Sequence, residues 1–180
     1  MGDAAVSRGC LLVASPLLAD PNFARAVVLV ITHDADGTFG LVLNRPLDSR
    51  LVEVLPDVDP RAADIPVLQG GPVQTDVLQF VTRDTEAGRV VLQGVSVGAS
   101  LPELIEARAG ALRARAFLGY AGWGAGQLER ETADGSWIVA PARACHVFEV
   151  SAEHLWSAVL RELGGRYTWM SLQGGCPEDN

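Results

Sequence analysis

Short apolar runs bounded by turn residues recur along the chain. Cys10-Leu11-Leu12-Val13-Ala14 closes at Ser15-Pro16, which predicts a buried strand ending where proline restricts its neighbour. Asp20 before Pro21 has the chemistry of a helix cap and predicts one helical turn through Phe23 and Ala24 that reverses the chain. The β-branched run Val27 to Thr32 predicts a second strand. The polar stretch His33 to Gly37 turns it, and Phe39 to Asn44 returns as its hairpin partner, ended by Asn44-Arg45-Pro46. Leu51, Val54 and Leu55 have helical spacing, and the acidic, proline-punctuated stretch from Asp57 to Asp64 predicts an exposed loop. Further strands are predicted at Val67-Leu68, Leu78 to Thr82 and Val90 to Leu92. Ser100 and Glu103 have capping-box spacing at the start of a helix reaching about Ala107. A strand from Ala114 to Tyr120 leads into Gly122-Trp123-Gly124-Ala125-Gly126 and a short helix, Gln127 to Glu131. Trp137 to Ala140 and Val147 to Val150 complete the strands. Ser151 then caps a helix with Leu155, Val159, Leu160 and Leu163 on one face, stopped by Gly164-Gly165.

Strands in clusters, with few and mostly short helices, do not alternate as a doubly wound sheet requires, so the predicted class is α+β with a mixed or antiparallel sheet. One domain over 9–172 is expected, with a loosely ordered N-terminus over 1–8 and a polar tail over 173–180. The 180 residues are 48% apolar and 20% charged, enough for one sizeable core and incompatible with global disorder. A net charge of −8 repels phosphate backbones and anionic lipid, so neither direct nucleic-acid binding nor membrane binding is expected. All 14 basic residues are Arg, which removes lysine Schiff-base and P-loop chemistry. Cys10, Cys145 and Cys176 form no C-x-x-C pair and no disulfide framework; with no export signal in Met1 to Arg8, a reducing cytoplasm is the expected compartment.

Several patterns invite a chemical reading. Arg45, at a strand end beside Asn44, offers a planar fork suited to carboxylate or phosphate, or else pairs with one of the chain's many carboxylates. Gly122-x-Gly124-x-Gly126 between a strand and a helix resembles an anion-cradling turn, with tight packing around Trp123 as the alternative. Gly70-Gly71-Pro72 is first of all a turn. Gln127 and Glu129 join Arg45 only if the fold brings them together. Gly94-Val95-Ser96-Val97-Gly98 spells a nucleophile elbow, with His146 and His154 downstream, yet Val95 and Val97 flank Ser96 in extended alternation and no helix follows directly. His33-Asp34 and Cys145-His146 lack metal-ligand spacing, so neither a metal nor a cofactor is expected. His146 is expected just before an edge strand and His154 in solvent. Arg108, Arg113 and Arg115 read as a solvated basic surface without a stacking platform.

The sequence resembles the AlgH/YqgE proteins of bacteria. The resemblance rests on Leu11-Leu12-Val13-Ala14-Ser15-Pro16, Asp20-Pro21-Asn22-Phe23, Gly40-Leu41-Val42-Leu43-Asn44-Arg45-Pro46 and Leu68-Gln69-Gly70-Gly71-Pro72-Val73. It continues through Leu118-Gly119-Tyr120-Ala121-Gly122-Trp123, Gly126-Gln127-Leu128-Glu129, Trp137-Ile138-Val139-Ala140-Pro141-Ala142 and the helix from Leu155 to Gly164. It implies a bifurcated mixed β-sheet folded into a pseudo-barrel with a few helices packed outside. It implies no particular activity, and the family's label of transcriptional regulation comes without a DNA-binding motif. One departure is visible: where relatives carry an aromatic-aliphatic-Leu-His sequence after Gly-Gly-Pro, this chain reads Gln79-Phe80-Val81-Thr82, so no role of that histidine transfers. The expected function is a non-enzymatic regulatory or adaptor domain that binds a protein partner or small ligand through Asn44, Arg45, Gly70, Gly71, Trp123, Gln127 and Glu129. An enzyme or metabolite-binding protein using the same pocket is the alternative, and a transcriptional regulator the third.

Overall fold

A computed structural model describes residues 5–83, 87–106 and 113–172. In chain order the described elements are β1 (Cys10–Ala14), β2 (Val27–Asp34), β3 (Gly37–Val42), β4 (Pro46–Arg50), α1 (Leu51–Val54), β5 (Pro66–Gln69), β6 (Val73–Arg83), β7 (Arg89–Leu92) and β8 (Val95–Val97). There follow α2 (Leu101–Glu106), β9 (Ala114–Gly124), α3 (Gln127–Ala133), β10 (Trp137–Pro141), α4 (Ala144–Phe148), α5 (Ala152–Leu163) and α6 (Arg166–Leu172).

The long strand β9 organises the sheet. Its first half pairs antiparallel with β6 on one side and parallel with β5 on the other, Val67 to Gln69 running beside Ala116 to Leu118. Its second half exchanges β5 for β3, with Gly40 opposite Ala121 and Thr38 opposite Trp123. The sheet therefore divides at Gly119 into two wings, β10-β1-β2-β3 and β4-β5 with β6-β8-β7. Both wings curl toward one core, where Leu11, Leu29 and Leu41 meet Val81, Val95 and Phe117, together with Leu155, Trp156, Val159 and Leu160 of α5. This is the α+β class expected from the element pattern, with the curled, bifurcated sheet that the family resemblance implies.

The continuous apolar runs of β1 and β2 follow from burial on both faces. Leu11, Val13, Val27 and Leu29 enter the core under α5, while Leu12, Ala14, Val28 and Val30 face a second core with Trp123, Trp137 and Leu128. A third core under the other wing joins Leu51, Val67, Phe80, Leu104 and Ala116.

Several sequence expectations are corrected. Val147 to Val150 is not a strand: α4 takes its first two residues, because His146 caps the helix start and buries with Val147, and this tertiary contact overrides the β propensity of Val-Phe-Glu-Val. Gly122 and Gly124 lie in β9, whose pairing with β3 extends it past Tyr120. The 57–64 stretch buries Ala62 against the third core rather than standing wholly in solvent. β4 and α6 had no sequence signal strong enough to predict them. The Ser100–Glu103 capping box is present, Glu103 accepting from the Ser100 amide at 2.7 Å, but Ala107, Arg108 and the 173–180 tail lie outside the described residues.

Where the sheet divides, a Cβ on Gly71 would stand 2.1 Å from the Tyr120 carbonyl carbon, on a backbone already at φ +155°. Gly98 has φ +81° but open space around it. Gly98→Ala is expected to cost roughly 1–2 kcal/mol, the backbone strain alone, whereas Gly71→Ala should cost about 3 kcal/mol or more because two backbones must separate. Urea midpoints of the two variants check this order.

Candidate functional site

Asn44 and Arg45, just past β3, do not point into empty solvent; they clamp the turn over 20–26. The Asn44 Oδ1 accepts the Val27 amide at 2.9 Å and its Nδ2 donates to the Arg25 carbonyl at 2.9 Å. Arg45 donates to the Ala24 carbonyl and, at 3.3 Å, to the Asn44 carbonyl. Asp20 caps the same turn through the Asn22 amide at 2.8 Å. Arg25 is thereby held at φ +56°, with its guanidinium 5.7 Å above the Trp156 ring. Trp156 is in turn fixed by its Nε1 donating to the Ala14 carbonyl at 2.8 Å.

These side chains form one wall of a cleft of about 320 Å³. Arg25, Asn44 and Arg45 face Glu153, Trp156 and Ser157 of α5 and Ser171 of α6. Arg45 therefore departs from the carboxylate-paired alternative, since its partners are carbonyls, and neither Arg25 nor Arg45 has an ion pair among the described residues. Desolvation pulls the Arg45 guanidinium below its ordinary value, yet a guanidinium remains cationic in proteins. Beyond Arg45 lies a smaller recess of about 90 Å³, bounded by Asn22, Gln69, Gly71 and Pro72. The fold thus brings Asn44, Arg45 and Gly71 together, with Gly70 behind them as a close backbone contact.

Trp123, Gln127 and Glu129 form a separate group and do not line the cleft. Gln127 accepts the Gly124 amide at 3.1 Å and donates to Glu131 Oε1 at 2.8 Å. Glu131 Oε2 accepts the indole N–H groups of both Trp123, at 2.9 Å, and Trp137, at 2.8 Å. Phe23 stacks on Trp123 with centroids 5.9 Å apart and meets Trp137 edge-on at 5.5 Å. Glu129 is exposed and 3.7 Å from His33. The Gly-Trp-Gly stretch is thus taken up in strand pairing with β3 and in aromatic packing, with the Gly124 amide held by Gln127. Phe23 and Ala24 are neighbours, so the clamped turn is the link between this aromatic cluster and Arg45.

The other sequence candidates are structural. Ser96 is buried within β8, between Thr82 and Val90 on the flanking strands, in no elbow geometry. His146 is fully buried; its Nδ1 accepts the Arg143 amide at 3.1 Å and its Nε2 meets Glu162 at 3.1 Å, so both ring nitrogens are engaged. His154 is exposed beside Ser151. Among the described residues no group of three His, Cys, Asp or Glu side chains is placed to hold a metal, and no helix is long and apolar enough to cross a membrane.

A family model described as AlgH-like matches residues 11–168. The chain belongs to the AlgH-like family. A UPF0301 protein of Chlorobaculum tepidum is 40% identical over 96% of this chain and 95% of its own length, and one of Pseudomonas putida is 39% identical over 91% and 92%. The solution structure of the AlgH protein from Pseudomonas aeruginosa superposes with a TM-score of 0.73 at 32% identity, covering 98% of this chain and all of that one. A crystal structure from Corynebacterium diphtheriae gives 0.78 at 27% identity, over 95% and 94% of the two chains. The AlgH-like match encloses the clamped turn, α5 and the lining of both recesses except Ser171.

Sequence reasoning missed Arg25, Trp156 and Glu131. Glu131 had a signal, since it stands four residues after Gln127 on α3; Arg25 had none, because its role follows from a left-handed backbone that no motif announces. Removing the carboxylate strands two indole donors. Glu131→Ala is expected to cost about 3 kcal/mol, from two charge-assisted hydrogen bonds, and Glu131→Gln about half of that. Urea unfolding followed by tryptophan fluorescence measures both.

Proposed function

We propose that this AlgH-like protein is a non-catalytic regulatory or adaptor domain, and that its recognition site is the Arg25–Asn44–Arg45 cleft, which receives a carboxylate-bearing segment of a partner protein. The observation that carries the reading is the cleft itself: two guanidiniums without ion pairs on a chain of net charge −8. A planar guanidinium fork matches a carboxylate in bidentate geometry. The cleft volume lies at the small end of ligand sites, roughly 300–1,000 Å³, which suits a side chain or chain terminus better than a whole metabolite. Trp169 and Leu172 of α6, 70% and 72% exposed, stand on the helix that contributes Ser171 and supply apolar contact beside the charge.

The hydroxyls in the cleft argue against catalysis. Ser157 donates to the His154 carbonyl at 3.1 Å and Ser171 to the Thr168 carbonyl at 2.6 Å, so each is spent on its own helix. An activated nucleophile needs a base at that position instead. Direct DNA binding is opposed by the net charge.

A titration with an acidic octapeptide and its Asn/Gln counterpart, followed by amide shifts, tests this reading. The acidic peptide is expected to shift Arg25, Asn44, Ser157 and Ser171, and Arg25→Ala to weaken it about tenfold or more, the loss of one charge-assisted contact. Arg25 is the informative variant, because Arg45→Ala also releases the Ala24 carbonyl and loosens the turn. Equal binding of the neutral peptide, or an unchanged Arg25→Ala titration, overturns the proposal.

A further inference from the structure

A shallow groove of about 470 Å³ crosses β2, β3, β9 and the start of β6, and it shares no residue with the cleft. Strand register sets its lining on one face of the sheet, because residues directly opposite each other in an antiparallel pair share a face. Thr32 stands opposite Phe39, Asp34 opposite Gly37, Phe39 opposite Gly122 and Val73 opposite Tyr120. The floor is aromatic: the half-buried Phe39 and Tyr120 rings, packed against the main core, have centroids 4.7 Å apart. Gly122 leaves the Tyr120 ring room, since a Cβ there would stand 3.2 Å from its Cε2. Asp34 and Asp36 bring two carboxylates to the hairpin end of the groove, and none of the lining residues is basic.

The polar groups of this groove are uncommitted. Among the described residues the Tyr120 hydroxyl and the Asp36 carboxylate have no hydrogen-bond or ion-pair partner. Asp34 gives one oxygen to the Asp36 amide at 2.9 Å and has no ion pair. We propose that the groove docks an arginine side chain carried by a segment of a partner protein. A guanidinium lies flat on an aromatic face while its edge donates to a carboxylate in a bidentate pair, so the ring floor and the free Asp36 oxygens serve the same group. A lysine ammonium is a compact, strongly hydrated point charge with no flat face for the rings. A purely apolar occupant would desolvate both carboxylates without returning a hydrogen bond. Val73, exposed at the other end, offers apolar contact to the methylene stem that an arginine carries. The groove is open along its length, whereas a small-molecule site encloses roughly 70–90% of its ligand. A side chain presented by an extended segment needs no such enclosure.

The test titrates the full chain, at physiological ionic strength, with an octapeptide containing two arginines, its lysine counterpart, its neutral citrulline counterpart and free argininamide, followed by amide shifts. The arginine peptide is expected to bind saturably and to shift Gly37, Phe39, Tyr120 and Gly122, more tightly than the other three probes. The double variant Asp34→Asn, Asp36→Asn should weaken it about fivefold or more, the loss of two exposed charge contacts. Asparagine at 34 keeps the side-chain oxygen that accepts the Asp36 amide, so the hairpin turn is retained. Tyr120→Leu should cost roughly two- to fivefold and erase the preference for arginine over lysine, because the ring face is gone. Asp57→Asn with Asp64→Asn changes the net charge equally, away from the groove, and should leave binding unchanged, as should Arg25→Ala. No saturable binding, equal binding of the lysine peptide, argininamide as tight as the peptide, or parent-like binding by the Asp34→Asn, Asp36→Asn variant overturns the proposal.

Discussion

At Gly119 the strand β9 leaves one sheet partner and takes another, and the junction closes only because glycine backbones can touch there. A Cβ on Gly70 would stand 2.2 Å from the Gly119 carbonyl oxygen, and one on Gly119 would stand 2.6 Å from that of Gly71. No side chain fits either gap. The contact also fixes the hydrogen bonding beside it: the Gly70 amide reaches Leu118, while the Gly70 carbonyl accepts from Val42, both at 2.8 Å. Through Val42, and through the Gln69 amide bonded to the Arg45 carbonyl at 2.8 Å, the division of the sheet sets where Asn44 and Arg45 emerge. The cleft is thus a consequence of the branch point. Gly70 and Gly71 set its geometry through these backbone contacts.

The legible parts of the sequence were those whose signal is local. The β1, β2 and β3 runs, the Ser100–Glu103 box and the α5 stripe each carry their own pattern, and the structure places all of them. What failed depends on contacts distant in sequence. Val147 and Phe148 read as a strand until the His146 ring closes on the Arg143 amide and Glu162. The triple-glycine stretch read as an open turn because nothing local shows β3 pairing along Gly122 and Gly124. Asn44 and Arg45 were found, since polar residues at a strand end are conspicuous, but their opposite wall comes from α5 and α6 more than 100 residues later.

The turn over 20–26 carries little apolar surface of its own and is held mainly by polar groups, Asn44 and Arg45 from beyond β3 and its own Asp20 cap. Such a segment is rigid only while every one of those bonds is made. Phe23 adds the one large apolar anchor, seated between Trp123 and Trp137, and these two rings depend on Glu131 for their orientation. Arg25 thus belongs to a segment connected to the second core. Physical contact runs from the cleft through Ala24 and Phe23 to the two tryptophans.

The local electrostatics of this acidic chain depend on what its arginines meet. Arg61 sits against Asp59, Arg143 against Glu162 and Arg83 against Glu149, so these pairs largely cancel. Arg45 is satisfied by carbonyl oxygens and Arg25 by the face of Trp156, partners that hold a guanidinium in place without neutralising it. A half-buried lysine would lower its pKa and shed its proton, whereas arginine keeps its charge. Positive charge is consequently retained on Arg25 and Arg45 in the cleft, whose lining also includes the Glu153 carboxylate.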